Sequence, residues 1–180
     1  MLLPDSHENC TLENFNWEGF QNIKGEVEAF IEGKREKGLI FIGNPGVGKT
    51  HLMIGVYKKL RAVGKYHGSE VIYIQWDELV NNIRNLMYEY RVIPEVGIER
   101  ALPEIPIIDD IKNVKGNIES AVLRRTIENI YDCEKIGLLS TNAENVSDLT
   151  QRWELPDYWT SRLFSRFDVV KVKGEDWRLK

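Results

Sequence analysis

Residues 38–50 read GLIFIGNPGVGKT. The first five form a short apolar run suited to a buried strand, and the last eight match G-x-x-x-x-G-K-[ST] at every constrained position. Downstream, Leu52, Met53, Val56, Tyr57 and Leu60 recur at helical spacing, so the glycine-rich segment joins a strand to a helix. That context gives the motif its chemistry. Backbone N–H groups close around a phosphate chain only where no Cβ intrudes, which Gly46 and Gly48 allow, and a helix N-terminus facing the anion adds partial positive charge. Lys49 then reaches the β- and γ-phosphates, and the Thr50 hydroxyl takes one coordination position on Mg2+. The nucleotide-binding set read here is Gly43, Asn44, Pro45, Gly46, Val47, Gly48, Lys49, Thr50 and His51, with ATP and Mg2+ as cofactors.

Outward from the loop the alternation continues. Residues 71–76 (VIYIQW), 105–110 (IPIIDD), 136–142 (IGLLSTN) and 169–172 (VVKV) read as further strands. Helical spacing recurs over 20–34, again through Leu79, Val80, Ile83, Met87 and Tyr90, and over 118–131. Strands alternating with helices predict right-handed βαβ units and a parallel sheet covered on both faces, an α/β fold. The segments 92–103 and 143–156 read as longer connections, with Pro94, Pro103 and Pro156 marking breaks, and the charged GKREKG at 33–38 reads as a turn.

Polar residues punctuate the strand ends. Asp109 and Asp110 close an apolar run at the sheet edge where ligands gather in parallel α/β folds. Asp109 is suited to orient Mg2+ and its waters, and Asp110 to align, or take a proton from, the water that attacks the γ-phosphate. Pro106 is unusual in such a strand, because it removes a ladder hydrogen bond. Ser140, Thr141 and Asn142 end the next strand on the same edge; these are common strand-ending residues, and Asn142 could also hold the attacking water. Arg162 and Arg166, in YWTSRLFSRF, stand one helical turn apart. Arginines so placed serve either surface ion pairs or charge stabilisation at a neighbour's γ-phosphate.

A chain of 180 residues that is 42% apolar and 29% charged has the composition of one globular domain, not of a disordered one. Net charge is −4, so no global positive field draws it to nucleic acid and any such contact must be local. Cys10 and Cys133 are too few for a disulfide scaffold and suit a reducing compartment. With no leader pattern and no run of about eighteen apolar residues, the expectation is a cytoplasmic protein that does not enter a membrane. His7, His51 and His67 show no metal-ligand spacing.

TLENF (11–15), GLIFIGNPGVGKTHL (38–52), IIDD (107–110), LLSTN (138–142) and SRLFSRFDVVKVKGEDWR (161–178) together resemble the AAA+ ATPases. Within them the likeness is to the branch of DnaC/DnaI-type helicase loaders, IstB-like transposition helpers and the DnaA initiator. This resemblance implies a short lead-in over 1–10 and an AAA+ core over 11–180, with strand order 5-1-4-3-2, helices on both faces and no C-terminal lid. It implies Asp109 as Mg2+ ligand, Asp110 as catalytic carboxylate, Asn142 as sensor 1 and Arg162 as arginine finger, with Arg166 as the alternative. Arg178 is left without a role.

On the same resemblance, the partners expected are a replicative helicase, further copies of this chain joined through a finger acting in trans, and single-stranded DNA. The DNA would meet Arg84, Arg91 and Arg100, between the second and third strands. The leading function is an ATP-hydrolysing switch that loads a replicative helicase; the alternatives are a transposase helper and a low-turnover nucleotide-dependent interaction module. A GTPase is disfavoured because no Asn-Lys-x-Asp motif occurs, and a small-molecule kinase by the paired Asp109 and Asp110. Trp153, Tyr158, Trp159, Phe164, Phe167 and Trp177 read mostly as core covering the sheet.

Overall fold

Each apolar run becomes a strand because helices bury it from both sides. The computed structural model describes residues 7–63, 70–90, 98 and 102–177. In it α1 (Gln21–Ile31) leads into β1 (Gly38–Ile42), and α2 (Lys49–Ala62) follows the glycine loop. The alternation continues through β2 (Val71–Gln75), α3 (Trp76–Tyr90), β3 (Ile105–Asp109), α4 (Asn117–Asp132) and β4 (Leu138–Thr141). Two further helices, α5 (Val146–Arg152) and α6 (Asp157–Arg166), precede β5 (Phe167–Lys171). The strands pair in parallel in the order β2-β3-β4-β1-β5, which is the expected 5-1-4-3-2 order read from the other edge.

Successive side chains of a strand go to opposite faces, and the core divides accordingly. Leu39 and Phe41 of β1 join Tyr73, Ile107 and Leu138 beneath α1 and α2, which contribute Ile23, Val27, Leu52 and Val56. Ile40 and Ile42 join Ile74, Ile108 and Leu139 on the other face, closed by Leu79, Ile83, Val122, Ile127, Leu149 and Leu163. β1 and β3 are buried along their whole lengths, as strands covered on both sides must be. Each Leu, Ile or Phe so removed from water contributes about 1.5–3 kcal/mol. Among the described residues no helix is long and apolar enough to cross a membrane.

Pro106 is accommodated by where its missing donor falls. The Ile105 N–H donates to Glu70 on the β2 side, so the next nitrogen in the strand points toward β4. Pairing with β4 starts only at Ile107, opposite Leu138, and the proline ring rests against Gly137, where a Cβ would come within 3.0 Å of it. No ladder bond is lost.

Three sequence expectations shift. The 143–156 connection contains α5, capped by the Asn145 side chain accepting the Asp148 N–H at 2.9 Å. It escapes periodicity because its seven residues bury only Leu149. Trp76 opens α3 instead of ending β2, and β5 begins at Phe167, directly after the last residue of α6. Of the C-terminal aromatics, Trp153 and Phe167 are buried and Trp159 and Phe164 pack on the core, while Tyr158 and Trp177 are exposed. Arg35, in the segment read as a turn, pairs with Glu26 and Asp168 and so ties α1 to β5. His67, Arg91, Pro94, Arg100 and Arg178 lie outside the described residues.

Within β1 the backbones crowd at Gly38, where a Cβ would overlap the Gly137 carbonyl and stand 2.7 Å from the Phe167 ring. Gly38→Ala is therefore expected to destabilise the fold by about 1–3 kcal/mol. Urea unfolding checks this; an unchanged midpoint would mean that the strands can part at no cost.

Candidate functional site

Because β1, β4 and β3 are neighbours in one parallel sheet, the segments that follow them emerge side by side at one edge. The glycine loop leaves β1, Asp110 leaves β3 and Asn142 leaves β4. Gly48 caps α2 at φ 98° and Gly46 stands at φ 78°, both in the left-handed region that strains any residue with a Cβ. On Gly46 a Cβ would also overlap the Asp176 carboxylate, and the Trp177 N–H donates to the Gly46 carbonyl at 3.2 Å.

Lys49 is only 7% exposed, so its ammonium must be met by acceptors. It donates to the carbonyls of Gly43 (2.7 Å) and Asn44 (2.8 Å) and to Asn142 Oδ1 (2.8 Å). The other end of the Asn142 amide donates from Nδ2 to Asp110 Oδ1 at 3.0 Å. Lysine can only donate and a carboxylate only accept, so these two partners fix which way the amide faces. A continuous line, Lys49 to Asn142 to Asp110, thus spans the three strand ends.

Asp109 is 1% exposed. Tyr73 donates its hydroxyl to Oδ2 at 2.8 Å, and Ser140 donates to Oδ1. Burial, then the Asp109 charge, raises the Tyr73 pKa, so the phenol stays a donor. Ser140 Oγ in turn accepts the Asp110 N–H at 2.8 Å. Asp110 itself stands at φ 56°. Burial, then the neighbouring Asp109 charge, holds its pKa above that of an ordinary aspartate, against the pull of Lys112 and Lys49.

These groups surround a cavity of about 380 Å3, lined by Pro45, Gly46, Gly48, Lys49, Thr50 and His51 on one side and by Asp109, Asp110, Ser140 and Asn142 on the other. Gly43, Asn44 and Val47, although part of the motif, line a separate hollow, and Val47 is packed into the core. Thr50 and Asp109 bring oxygen donors to the main cavity, the ligand type Mg2+ takes. Among the described residues no group of three or more His, Cys, Asp or Glu could hold a metal by itself.

A second cavity of about 330 Å3 adjoins the first through Gly48 and His51, and is lined also by Asn14, Phe15, Asn16 and Trp177. His51 Nε2 lies 2.9 Å from both the Thr11 carbonyl and Asn14 Oδ1, which fastens the TLENF segment to α2. Composition and spacing did not point to Tyr73, Asn14 or Trp177. Tyr73 sits in an ordinary apolar strand pattern, whereas the TLENF match was the available signal for Asn14.

The two arginines of α6 differ in their surroundings. The Arg162 guanidinium is 4.4 Å from the Tyr158 ring, 4.7 Å from Tyr131 and 5.7 Å from Trp159, and pairs with Glu128 at 3.3 Å and Asp132 at 3.8 Å. It staples α6 to α4. Among the described residues the buried Nε of Arg166 has no hydrogen-bond partner. Neither arginine lines the main cavity. Arg84 is half-buried on α3 and donates to Asn81 Oδ1 at 2.9 Å.

Residues 21–180 match the family described as IstB-like ATP binding protein. The chain is 28% identical over 180 residues to the insertion sequence IS21 putative ATP-binding protein of Pseudomonas aeruginosa, covering 94% of this chain and 64% of that protein. It is 28% identical over 158 residues to the insertion sequence IS5376 putative ATP-binding protein of Geobacillus stearothermophilus, covering 84% and 59%. The chain thus spans about three-fifths of the length of these curated relatives. Among solved structures, the DnaC helicase loader superposes with a TM-score of 0.78 at 20% identity, over 94% of this chain and 100% of that one. Domain III of Thermotoga maritima DnaA gives 0.71 at 23%, over 96% and 69%. At such identities the likeness is one of fold.

The environment of Asp110 has a thermodynamic consequence. Its carboxyl holds a proton more readily in the folded chain than in the unfolded one, so ionising it costs stability. The favourable contribution is present below the ordinary aspartate pKa of about 3.9 and is lost as pH rises through the folded value. Asp110→Asn removes the charge and places asparagine in a left-handed conformation that it tolerates well. In metal-free buffer the variant is expected to melt at a higher temperature than the parent at pH 7, with the gain shrinking toward pH 4. Melting curves at the two pH values check this; a variant less stable at pH 7 contradicts it.

Proposed function

The chain belongs to the IstB-like ATP-binding proteins, and from that membership we propose that it is an ATP-hydrolysing AAA+ switch working with a DNA-bound partner. The observation that carries this reading is the Lys49–Asn142–Asp110 line beside the glycine loop, because it joins phosphate binding to a candidate base. On phosphate arrival Lys49 exchanges its loop carbonyls for phosphate oxygens, and the adjoining cavity between Asn14 and Trp177 has room for the base. Thr50 and Asp109 would hold Mg2+, which supplies charge neutralisation on the phosphates. Asn142 positions the attacking water, and Asp110 aligns it or takes its proton.

An arginine from a neighbouring copy completes this site. Arg162 was the first candidate on resemblance, but its guanidinium is already met by three rings and two carboxylates of its own chain. Arg166, half-buried on the same helix and with no hydrogen-bond partner at Nε among the described residues, is the donor proposed instead. In this reading Arg162 holds α6 in place so that Arg166 can act.

The names of the curated relatives favour an insertion-sequence helper, so the partner proposed is a transposase on target DNA. The second reading, delivery of a replicative helicase at single-stranded DNA, is favoured by the fit to the whole of the DnaC loader structure. Under either reading DNA contact through Arg84, Arg91 and Arg100 must overcome the net charge of −4 and be steeply salt-sensitive.

Steady-state ATPase with calorimetric ATP binding tests the proposal. Lys49→Ala is expected to lose binding, and Asp110→Asn to keep binding while turnover falls about 10²–10⁴-fold. Arg166→Ala should bind ATP and lose about 10³–10⁵ in rate, and mixing it with Asp110→Asn should restore part of the activity. Wild-type affinity in folded Lys49→Ala overturns the phosphate site; mixed oligomers without recovery overturn the trans finger, and loss in Arg162→Ala with wild-type turnover in Arg166→Ala returns the role to Arg162. Stimulation by transposase and duplex DNA, against stimulation by a hexameric helicase and single strands, separates the two partners.

A further inference from the structure

The Asp109 carboxylate is buried, and among the described residues two neutral hydroxyls donate to it. They come from the strands on either side: Tyr73 from β2 and Ser140 from β4. Each takes one carboxylate oxygen, so rotating the group would break both bonds at once. The phenol is itself confined. Tyr73 is 4% exposed and its ring lies 6.2 Å from that of Tyr57 on α2, the helix that opens with Lys49 and Thr50. Ser140 is also confined, because its oxygen accepts the Asp110 N–H while its proton goes to Asp109.

We infer that Tyr73 is a positioning residue for the nucleotide's divalent cation: with Ser140 it holds the Asp109 carboxylate in one orientation at the cavity that Asp109 and Thr50 line. The inference rests on the proposed reading of Asp109 as a cation ligand. A carboxylate offers about four lone-pair directions, and two hydroxyl donors leave the others free for a metal or its waters. Mg2+ demands near-ideal octahedral geometry, so a ligand that swivels is a poor one. Groups that hydrogen-bond a metal ligand typically account for about 10- to 100-fold in metal affinity. Tyr73 donates from a strand carrying none of the motif residues, so its role is set by pairing with β3 and not by proximity in sequence.

Mn2+, which takes the same oxygen ligands, gives a readout independent of turnover. Its uptake by the full chain with ADP is followed by electron paramagnetic resonance, and ADP affinity is measured separately in EDTA. Tyr73→Phe keeps the ring and removes the donor; it is expected to weaken Mn2+ retention about 10- to 100-fold with metal-free ADP affinity unchanged. Ser140→Ala should shift retention the same way, and it carries the test if Tyr73→Phe does not fold. Adding Tyr73→Phe to Asp109→Asn should change nothing further. Wild-type Mn2+ retention in Tyr73→Phe, or an equal loss of ADP affinity in EDTA, overturns the inference alone. If the parent protein takes up no Mn2+ with ADP, the cation-site reading of Asp109 falls and this inference with it.

Discussion

A buried ammonium has to be surrounded by acceptors, and the way Lys49 meets that demand organises the whole sheet edge. Two of its acceptors are carbonyls of the loop that precedes it, so the loop is curled around its own lysine. The third is Asn142, which commits the end of β4 to the end of β1 and, through its amide, to Asp110 after β3. Taking any of the three strands out of register would break this line at Asn142 and leave Lys49 or Asp110 short of a partner, which is unfavourable for groups this far from water. Strand order is therefore enforced from the polar edge as well as from the two apolar faces.

The two charged centres are satisfied differently. Lys49 is held by two carbonyls of its own loop and by the Asn142 amide that lines the cavity, acceptors that a phosphate would replace in the proposed reading. Asp109 is held by donors embedded in the sheet, Tyr73 and Ser140, which nothing entering the cavity need displace. One side of the site is thus built to exchange partners and the other to stay put. Asp110 lies between, on a left-handed backbone and with its ionisation disfavoured by burial, so stability is given up at the position where reactivity is proposed.

Much of this was legible in the sequence. The glycine pattern, the paired aspartates and the polar end of IGLLSTN each sit where an apolar run stops, and stopping points of parallel strands share an edge. What stayed hidden has physical reasons. Tyr73 looks like any core residue of VIYIQW, because only the β2–β3 register brings its hydroxyl to Asp109. α5 buries a single leucine and so has no period to detect. The difference between Arg162 and Arg166 depends on Tyr131 and Glu128 of α4, more than thirty residues away in sequence.

The direct passage of α6 into β5 bears on assembly. Arg166 is the last residue of the helix and Phe167 the first of a strand that pairs along β1, whose end carries the phosphate loop. No loop residue separates Arg166 from the strand that pairs with β1. Each copy in a proposed assembly would then act as a spacer of fixed length and angle between the nucleotide it owns and the one it completes. The rise and twist of a filament or ring would be inherited from this junction, and one inserted residue there would change the pitch of the polymer before it changed the chemistry of any single site.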